Sequence, residues 1–70
     1  MITAKELSRY ANQSRPFSIH LADGREIAVP HGEMLFVTPK ASKFIVESHD
    51  ITEVFNLSMV TSIKLARQKR

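Results

Sequence analysis

The chain contains no cysteine, and its three histidines are far apart in the sequence. Without cysteine, neither a disulfide bond nor a zinc site of thiolate ligands can support the fold. A chain this short buries only about 60% of the surface that it exposes when unfolded, so its core is marginal. Oligomerisation is the support that remains for a domain of this size. We therefore expect a homo-oligomer that needs no metal and no cofactor.

Long apolar segments are also missing. No run approaches the ~18 apolar residues of a membrane span. Residues 1–6 are not followed by the apolar stretch of about 7 to 15 residues that a signal peptide requires. We therefore expect a cytoplasmic protein without membrane contact. Its length predicts one domain, over residues 1–65, with a short basic tail at residues 66–70.

The residues that catalysis requires do not occur as a set. An active site needs a nucleophile with a base, paired carboxylates or a metal. The serines lie in no nucleophile-elbow motif, and there is no glycine-rich phosphate loop. His31 and Glu33 flank Gly32, but a zinc site needs three or four ligands, and we interpret the pair as turn residues. His20 is interpreted as a polar strand residue, and the chain as a binding protein that is not an enzyme.

The net charge of +3 is unevenly distributed along the chain. Residues 1–16 contain three basic and one acidic side chain, and residues 64–70 contain four basic ones. Residues 17–63 contain three basic and six acidic side chains, so this middle region is acidic. A high isoelectric point often indicates nucleic-acid binding. In this chain the basic excess behind the high isoelectric point lies at the two ends of the sequence.

The N-terminal segment has the start and stop signals of a short helix. Thr3 and Glu6 fit a capping box, in which each side chain accepts a hydrogen bond from the backbone N–H of the other residue. Leu7 begins an apolar stripe with helical spacing. Pro16 prevents the helix from continuing. The spacing predicts a helix over residues 4–12.

A β-hairpin follows the helix. Residues 17–21 alternate apolar and polar side chains, the period of a half-buried strand, and residues 25–29 form the return strand. A two-residue turn would scatter the apolar side chains over both faces. A three-residue loop with Gly24 in the left-handed conformation pairs Ile19 with Ile27 and keeps one face apolar, so we choose it.

The remaining strands are short. Residues 30–32 are either a turn between two strands or a sharp bend within one long strand. Residues 34–37 are almost continuously apolar, typical of a strand buried on both faces, and we place Phe36 in the core with the other three phenylalanines. Further strands are predicted at residues 43–48, 53–57 and 61–65, with a tight turn at residues 58–60.

The opening of the hairpin resembles a family of short, uncharacterised bacterial proteins. The shared features are an Arg-Pro-Phe entry at residues 15–17, an alternating strand, an Asp-Gly-Arg turn at residues 23–25 and a Pro-His segment at residues 30–31. The match extends over most of the chain. The family has no function that the resemblance could carry over.

The order of elements also resembles an Sm-like barrel of the bacterial host-factor kind. In that fold a helix precedes five strands, the second strand is long and bent, and a 3₁₀ turn precedes the last. Residues 25–38 would be the bent strand and residues 58–60 the 3₁₀ turn. The resemblance implies a mostly β fold, with an N-terminal helix and a five- to six-stranded, strongly bent antiparallel Sm/SH3-like small barrel.

The resemblance implies rings, because in Sm-like proteins the fourth strand of one subunit pairs with the fifth of the next. The RNA-binding motifs of the Sm pattern are not present. Ala28 and Val29 stand where the pattern has a glycine, residues 33–36 do not supply its Asp-x-φ-Asn loop, and residues 56–58 replace its Tyr-Lys-His motif. The ring carries over as an expectation, and the RNA-binding residues do not.

Two sets of candidate site residues follow. The first would neutralise RNA phosphates and comprises Arg9, Arg15, Arg25, Lys64, Arg67, Lys69 and Arg70. The second would pair copies of the chain through edge strands, because a strand edge with few charges tends to find a partner. It comprises Val54, Phe55, Leu57, Ile63 and Leu65.

Two hypotheses for function remain open. One is an RNA-binding module that uses its basic termini on an oligomeric ring. The other is a protein-interaction or structural module that self-associates through edge strands. Single-strand binders usually expose aromatic side chains for stacking, and we assign the aromatic residues to the core. Steeply salt-dependent RNA binding would favour the first hypothesis, whereas the acidic middle region favours the second.

Overall fold

A computed structural model describes residues 2–13, 15–38, 40 and 42–65. Their helix and strands are α1 (Ala4–Ala11), β1 (Phe17–Leu21), β2 (Glu26–Val29), β3 (Leu35–Thr38), β4 (Lys43–Glu47), β5 (Thr52–Asn56) and β6 (Val60–Leu65). Two 3₁₀ turns, Gly32–Met34 and Leu57–Met59, precede β3 and β6. The predicted mostly β fold with an N-terminal helix is confirmed. The tail at residues 66–70, with Arg67, Lys69 and Arg70, lies outside the described residues.

Helix α1 begins at the predicted capping box. The backbone N–H of Thr3 donates to Glu6 Oε1 at 2.9 Å, and the backbone N–H of Glu6 donates to Thr3 Oγ1 at 3.1 Å. These bonds satisfy two of the donors that a helix N-terminus leaves unpaired. Leu7 is fully buried in the core, and the ring of Tyr10 lies 6.3 Å from that of Phe17. The helix thus packs on the core, beside β3 and the turn at Gly32–Met34.

The hairpin between β1 and β2 has the predicted register. Ile19 lies opposite Ile27, and the backbone N–H of Leu21 donates to the carbonyl oxygen of Arg25 at 2.9 Å, closing a three-residue loop. Gly24 has φ +94°, a conformation that glycine adopts without a Cβ penalty. The loop length and its glycine therefore set which side chains of β2 face inward.

The six strands form two antiparallel sheets. The first sheet has the order β2-β1-β6, and the second has the order β3-β4-β5. Residues 25–38, predicted as one bent strand or as two strands around a turn, form two strands in different sheets, separated by the turn at Gly32–Met34. Among the described residues the two sheets share no strand and do not close into one barrel.

The core lies between the inner faces of the two sheets and the apolar side of α1. The rings of Phe44 and Phe55 stack at 5.0 Å between centroids. Gly32 packs against the end of α1 so closely that a Cβ there would collide with the carbonyl oxygen of Ala11. The buried side chains are Leu7, Phe17, Ile19, Leu21, Val29, Leu35, Phe44, Val46, Phe55, Leu57 and Val60.

One prediction about the core is wrong. The apolar run at residues 34–37 is not buried on both faces, because Phe36 is 51% exposed. Side chains alternate between the two faces of a strand. Leu35 and Val37 therefore face the core, whereas Phe36 faces away from it on the outer side of the second sheet. Three phenylalanines, Phe17, Phe44 and Phe55, are in the core as predicted.

No helix in the described part of the chain is long and apolar enough to cross a membrane.

Candidate interaction surface

The outer face of the first sheet is polar. Its cross-strand rows are Ala28–Ser18–Lys64 and Glu26–His20–Ser62. His20 Nε2 lies 3.7 Å from Glu26 Oε2. A face of small, hydroxyl and charged side chains is the usual outer face of a half-solvated antiparallel sheet.

The outer face of the second sheet is different. Phe36 lies directly opposite Ile45, and Ile45 lies directly opposite Val54. Phe36 and Val54 are 51% and 58% exposed, and Ile45 is half-buried between them. Directly opposite residues contact each other across a sheet. The three side chains therefore form a continuous apolar row across all three strands, here called the outer row.

Polar residues border the outer row on both sides. On one side lie Thr38, Lys43 and Asn56, and Lys43 Nζ donates to Asn56 Oδ1 at 2.7 Å. On the other side Glu47 lies opposite Thr52. Lys43 and Glu47 are two residues from Ile45 in opposite directions along β4. The outer row thus has a cation on one flank and an anion on the other.

Strand β5 is an edge strand, as predicted. The backbone N–H of Ser48 donates to the carbonyl oxygen of Ile51, and that of Leu57 donates to the carbonyl oxygen of Ser42. Because bonding positions alternate along an antiparallel pair, Glu53 and Phe55 bond to β4. The N–H and C=O groups of Val54 point to the open edge.

The predicted self-association residues fall into three environments. Val54 is exposed in the outer row, whereas Phe55 and Leu57 are buried at 6% and 7% exposure. Ile63 and Leu65 are half-buried on the inner face of β6, opposite Ile19 and Phe17. Of these five side chains, Val54 therefore offers the most apolar surface to a partner.

Arg25 is paired with two acidic side chains. Its Nε donates to Asp23 Oδ2 at 2.9 Å, and its Nη1 lies 3.5 Å from Glu53 Oε2. The guanidinium carbon also lies 5.5 Å from the ring centroid of Phe55. The backbone N–H of Arg25, followed by its guanidinium, lowers the pKa of Asp23 below its ordinary value, which favours the charged form of the pair. Arg25 thus joins the tip of the first hairpin to β5.

The other described members of the basic set belong to different parts of the fold. Arg9 lies in the last turn of α1, Arg15 lines a cleft, and Lys64 lies on the outer face of the first sheet, opposite Ser18. The chain has ten Lys and Arg against seven Asp and Glu. Three of the ten lie outside the described residues, so the described residues carry seven basic and seven acidic side chains and a net charge of zero.

The cleft lies between the end of α1 and the first 3₁₀ turn and has a volume of about 820 Å³. Its walls include Arg15, His31, Glu33 and the exposed Phe36. His31 and Glu33 are both exposed there. Within the described ranges no three His, Asp or Glu side chains come close enough together to hold a metal ion.

No family model, curated protein or solved structure matches this chain. The resemblances to short bacterial proteins and to Sm-like barrels therefore stay predictions.

Sequence reasoning did not find Phe36 and Ile45 as surface residues. A signal was present, because β3 and β4 are apolar at both alternating positions, whereas β1 alternates strictly. A strand that is apolar on both faces either has other elements packed on both faces or exposes an apolar row on one of them. A sequence cannot separate these two cases, because the covering element comes from a distant part of the chain.

Proposed function

We propose that this chain is a non-enzymatic protein-interaction module that associates with copies of itself through edge strands β5 and β6. The observation that carries the proposal is the open edge of β5, where the exposed apolar Val54 also presents an outward-facing backbone donor and acceptor. An edge of this kind adds a strand readily. Glu53 is the one charged side chain along β5.

Strand β6 is the matching edge of the first sheet. The N–H of Leu21 bonds toward β2, so by the same alternation Ile63 and Leu65 direct their backbone groups away from β1. Their half-buried side chains would gain apolar burial when a second copy pairs there. Both edges thus offer backbone groups and apolar side chains to a strand of another copy.

A finer part of the proposal concerns the architecture. We propose that the two sheets have the curvature of an Sm-like small barrel, with β5 as its fourth strand and β6 as its fifth. The order of helix, strands and second 3₁₀ turn supports this comparison. Pairing of β5 with β6 of the next copy is head-to-tail and closes into a ring when the rotation permits. A cytoplasmic location belongs to the proposal, because small secreted domains usually depend on disulfides and this chain has no cysteine.

RNA binding is the second candidate function. It is favoured by the placement of the whole positive excess, Arg67, Lys69 and Arg70, within residues 66–70. Assembly would multiply this charge and so its attraction for phosphates. The zero net charge of the described residues and the ion pairs of Arg25 favour the protein-interaction function over this one.

The test is size-exclusion chromatography with light scattering on the untagged chain, with absorbance read at 260 and 280 nm. We expect a mass of two or more chains without excess absorbance at 260 nm. A single-chain mass at every concentration would refute self-association. Excess absorbance at 260 nm that disappears after ribonuclease treatment would support the RNA candidate.

The variant Val54→Pro removes an outward-facing N–H from β5 and leaves the bonds to β4 in place. Its matched control, Val54→Thr, makes the same position less apolar but keeps the N–H. We expect the proline variant to dissociate the assembly more than the threonine variant does. Equal masses for the two variants would show that the edge of β5 does not carry the association.

A further inference from the structure

The outer row is an apolar surface that edge pairing does not by itself explain. Phe36 and Ile45 belong to β3 and β4, so they lie one and two strands away from the open edge of β5. Exposed apolar side chains in a contiguous row mark contact surfaces more often than scattered ones do. The first sheet has no such row among its paired residues.

We propose that two copies of the chain stack face to face on the outer row, related by a two-fold axis that runs along it. This inference rests on the proposed self-association and assigns it a second surface. A two-fold contact brings the same patch of both copies together. With the axis along the row, Phe36, Ile45 and Val54 each face their own counterpart, and the strands of the two copies run in opposite directions.

The flanking charges support this arrangement. Reversing the strand direction about Ile45 places Lys43 of one copy over Glu47 of the other, and the same contact occurs a second time by symmetry. Facing sheets lie about 10 Å apart, a gap that Lys and Glu side chains reaching from opposite sides can bridge. A two-fold axis along the strands would place Lys43 over Lys43 and Glu47 over Glu47 instead. Charge complementarity therefore selects the first axis.

The polar neighbours are compatible with the same axis. Asn56 would face Thr52 of the other copy, so amide and hydroxyl groups meet and neither is left beside an apolar side chain. Lys43 keeps its bond to Asn56 Oδ1 at 2.7 Å, because an ammonium group has three donors and this bond uses one.

The size of the surface determines how strong the contact is. Three strands about 4.8 Å apart and five residues long at about 3.3 Å each give a face of roughly 14 by 17 Å. This footprint is well below the roughly 800 Å² that each partner buries in a standard interface. The stacked pair is therefore a weak, concentration-dependent contact that reinforces edge pairing and does not replace it.

The test is a charge reversal across the two-fold axis. Lys43→Glu alone would place two carboxylates opposite each other at both contacts, and Glu47→Lys alone would do the same with two ammonium groups. In the double variant, Lys43→Glu with Glu47→Lys, each opposite pair is restored. Sedimentation equilibrium at low salt, over a range of concentrations, should show association weakened by about tenfold in each single variant and restored in the double variant.

Glu26→Lys is the matched control, because it makes the same substitution on the outer face of the first sheet. It should leave association unchanged, and circular dichroism of all variants checks that each one folds. An assembly whose mass is the same in both single variants would overturn the stacking inference and leave edge pairing intact. A native chain that is a single copy at every concentration would refute the proposed function itself. Weakening in both single variants without rescue in the double would also overturn the proposed axis.

Discussion

The two sheets differ most on their outer faces. The central strand of the first sheet presents Ser18 and His20 to the outside, with Lys64 and Glu26 beside them. The central strand of the second sheet presents Lys43, Ile45 and Glu47, and Ile45 continues into Phe36 and Val54 on the neighbouring strands.

The inner faces, by contrast, are apolar in both sheets and share one core. Burial of the core and the nature of the outer surface are therefore separate properties of a sheet. The first sheet has the pattern of a strand set that faces water. The second has the core on one side and an exposed apolar row on the other.

Removing a phenylalanine ring from each face of the second sheet should have very different effects on stability. Phe44→Ala removes a fully buried ring that stacks on Phe55 and should cost about 3–5 kcal/mol of unfolding free energy. That loss is a large share of a total of roughly 5–15 kcal/mol. Phe36→Ala should change stability by no more than about 0.5 kcal/mol, as exposed positions do.

Urea unfolding followed by circular dichroism at low protein concentration measures both values. Equal losses in the two variants would mean that the outer row is covered within a single copy. The contrast between the faces of the second sheet would then be wrong.

A second pair of variants tests the connection between the sheets. Gly32→Ala would drive a Cβ into the carbonyl oxygen of Ala11, and displaced backbone of this kind typically costs about 1–3 kcal/mol. At Gly24 an added Cβ would meet no other atom, but the backbone has φ +94°. An alanine in this left-handed conformation lowers the free energy of unfolding by roughly 1 kcal/mol. We expect the first variant to have the lower melting temperature. The reverse order would show that the end of α1 can move away from residue 32 at little cost in stability.

Arg25 is the side chain that joins the hairpin of the first sheet to β5 of the second. Arg25→Met removes its ion pairs and its contact with the ring of Phe55. Since the side chain is about half exposed, we expect a loss of only about 0.5–1 kcal/mol. The substitution should speed up amide hydrogen exchange more at β5 than at β1. Unchanged exchange at β5 would mean that the bridge does not stabilise that edge.

The smallest expected effect concerns Asp23 at the tip of the hairpin. Its bonds to the backbone N–H and guanidinium of Arg25 lower its pKa below the ordinary value of 3.8. A lowered pKa in the folded state means that the carboxylate stabilises the fold above the unfolded pKa. This contribution is lost as the pH falls through the folded value. A carbon-detected NMR titration should give Asp23 a pKa below 3.8, and a value at or above it would contradict these bonds.

Local signals predicted the elements with small errors. The capping box of Thr3 and Glu6 placed the helix, and Gly24 placed the hairpin loop and its register. The predicted helix and strands lie within one residue of the observed bounds. The candidate site was predicted in part. Val54 was expected to contact a partner and is exposed, whereas Phe36 and Ile45 were not expected at the surface.

The surroundings of the basic residues also depend on the tertiary structure. Arg25 was chosen for its charge, but the fold brings Glu53 from β5 to within 3.5 Å of it. Two residues so far apart in the chain meet because the hairpin tip reaches the edge of the other sheet. Charge counted along a sequence therefore does not show which basic side chains lie beside acidic ones.

The sequence predicts where the helix and strands begin and end, since caps, turn glycines and alternating side chains act over a few neighbouring residues. It also predicts that β1 has one apolar face. The assembled fold is needed to show that β6, from the far end of the chain, pairs with β1. It is also needed to show that the second face of β3 and β4 has no partner within the described residues. Those outcomes depend on which distant elements lie over a surface, because burial belongs to the assembled layers and not to any one strand.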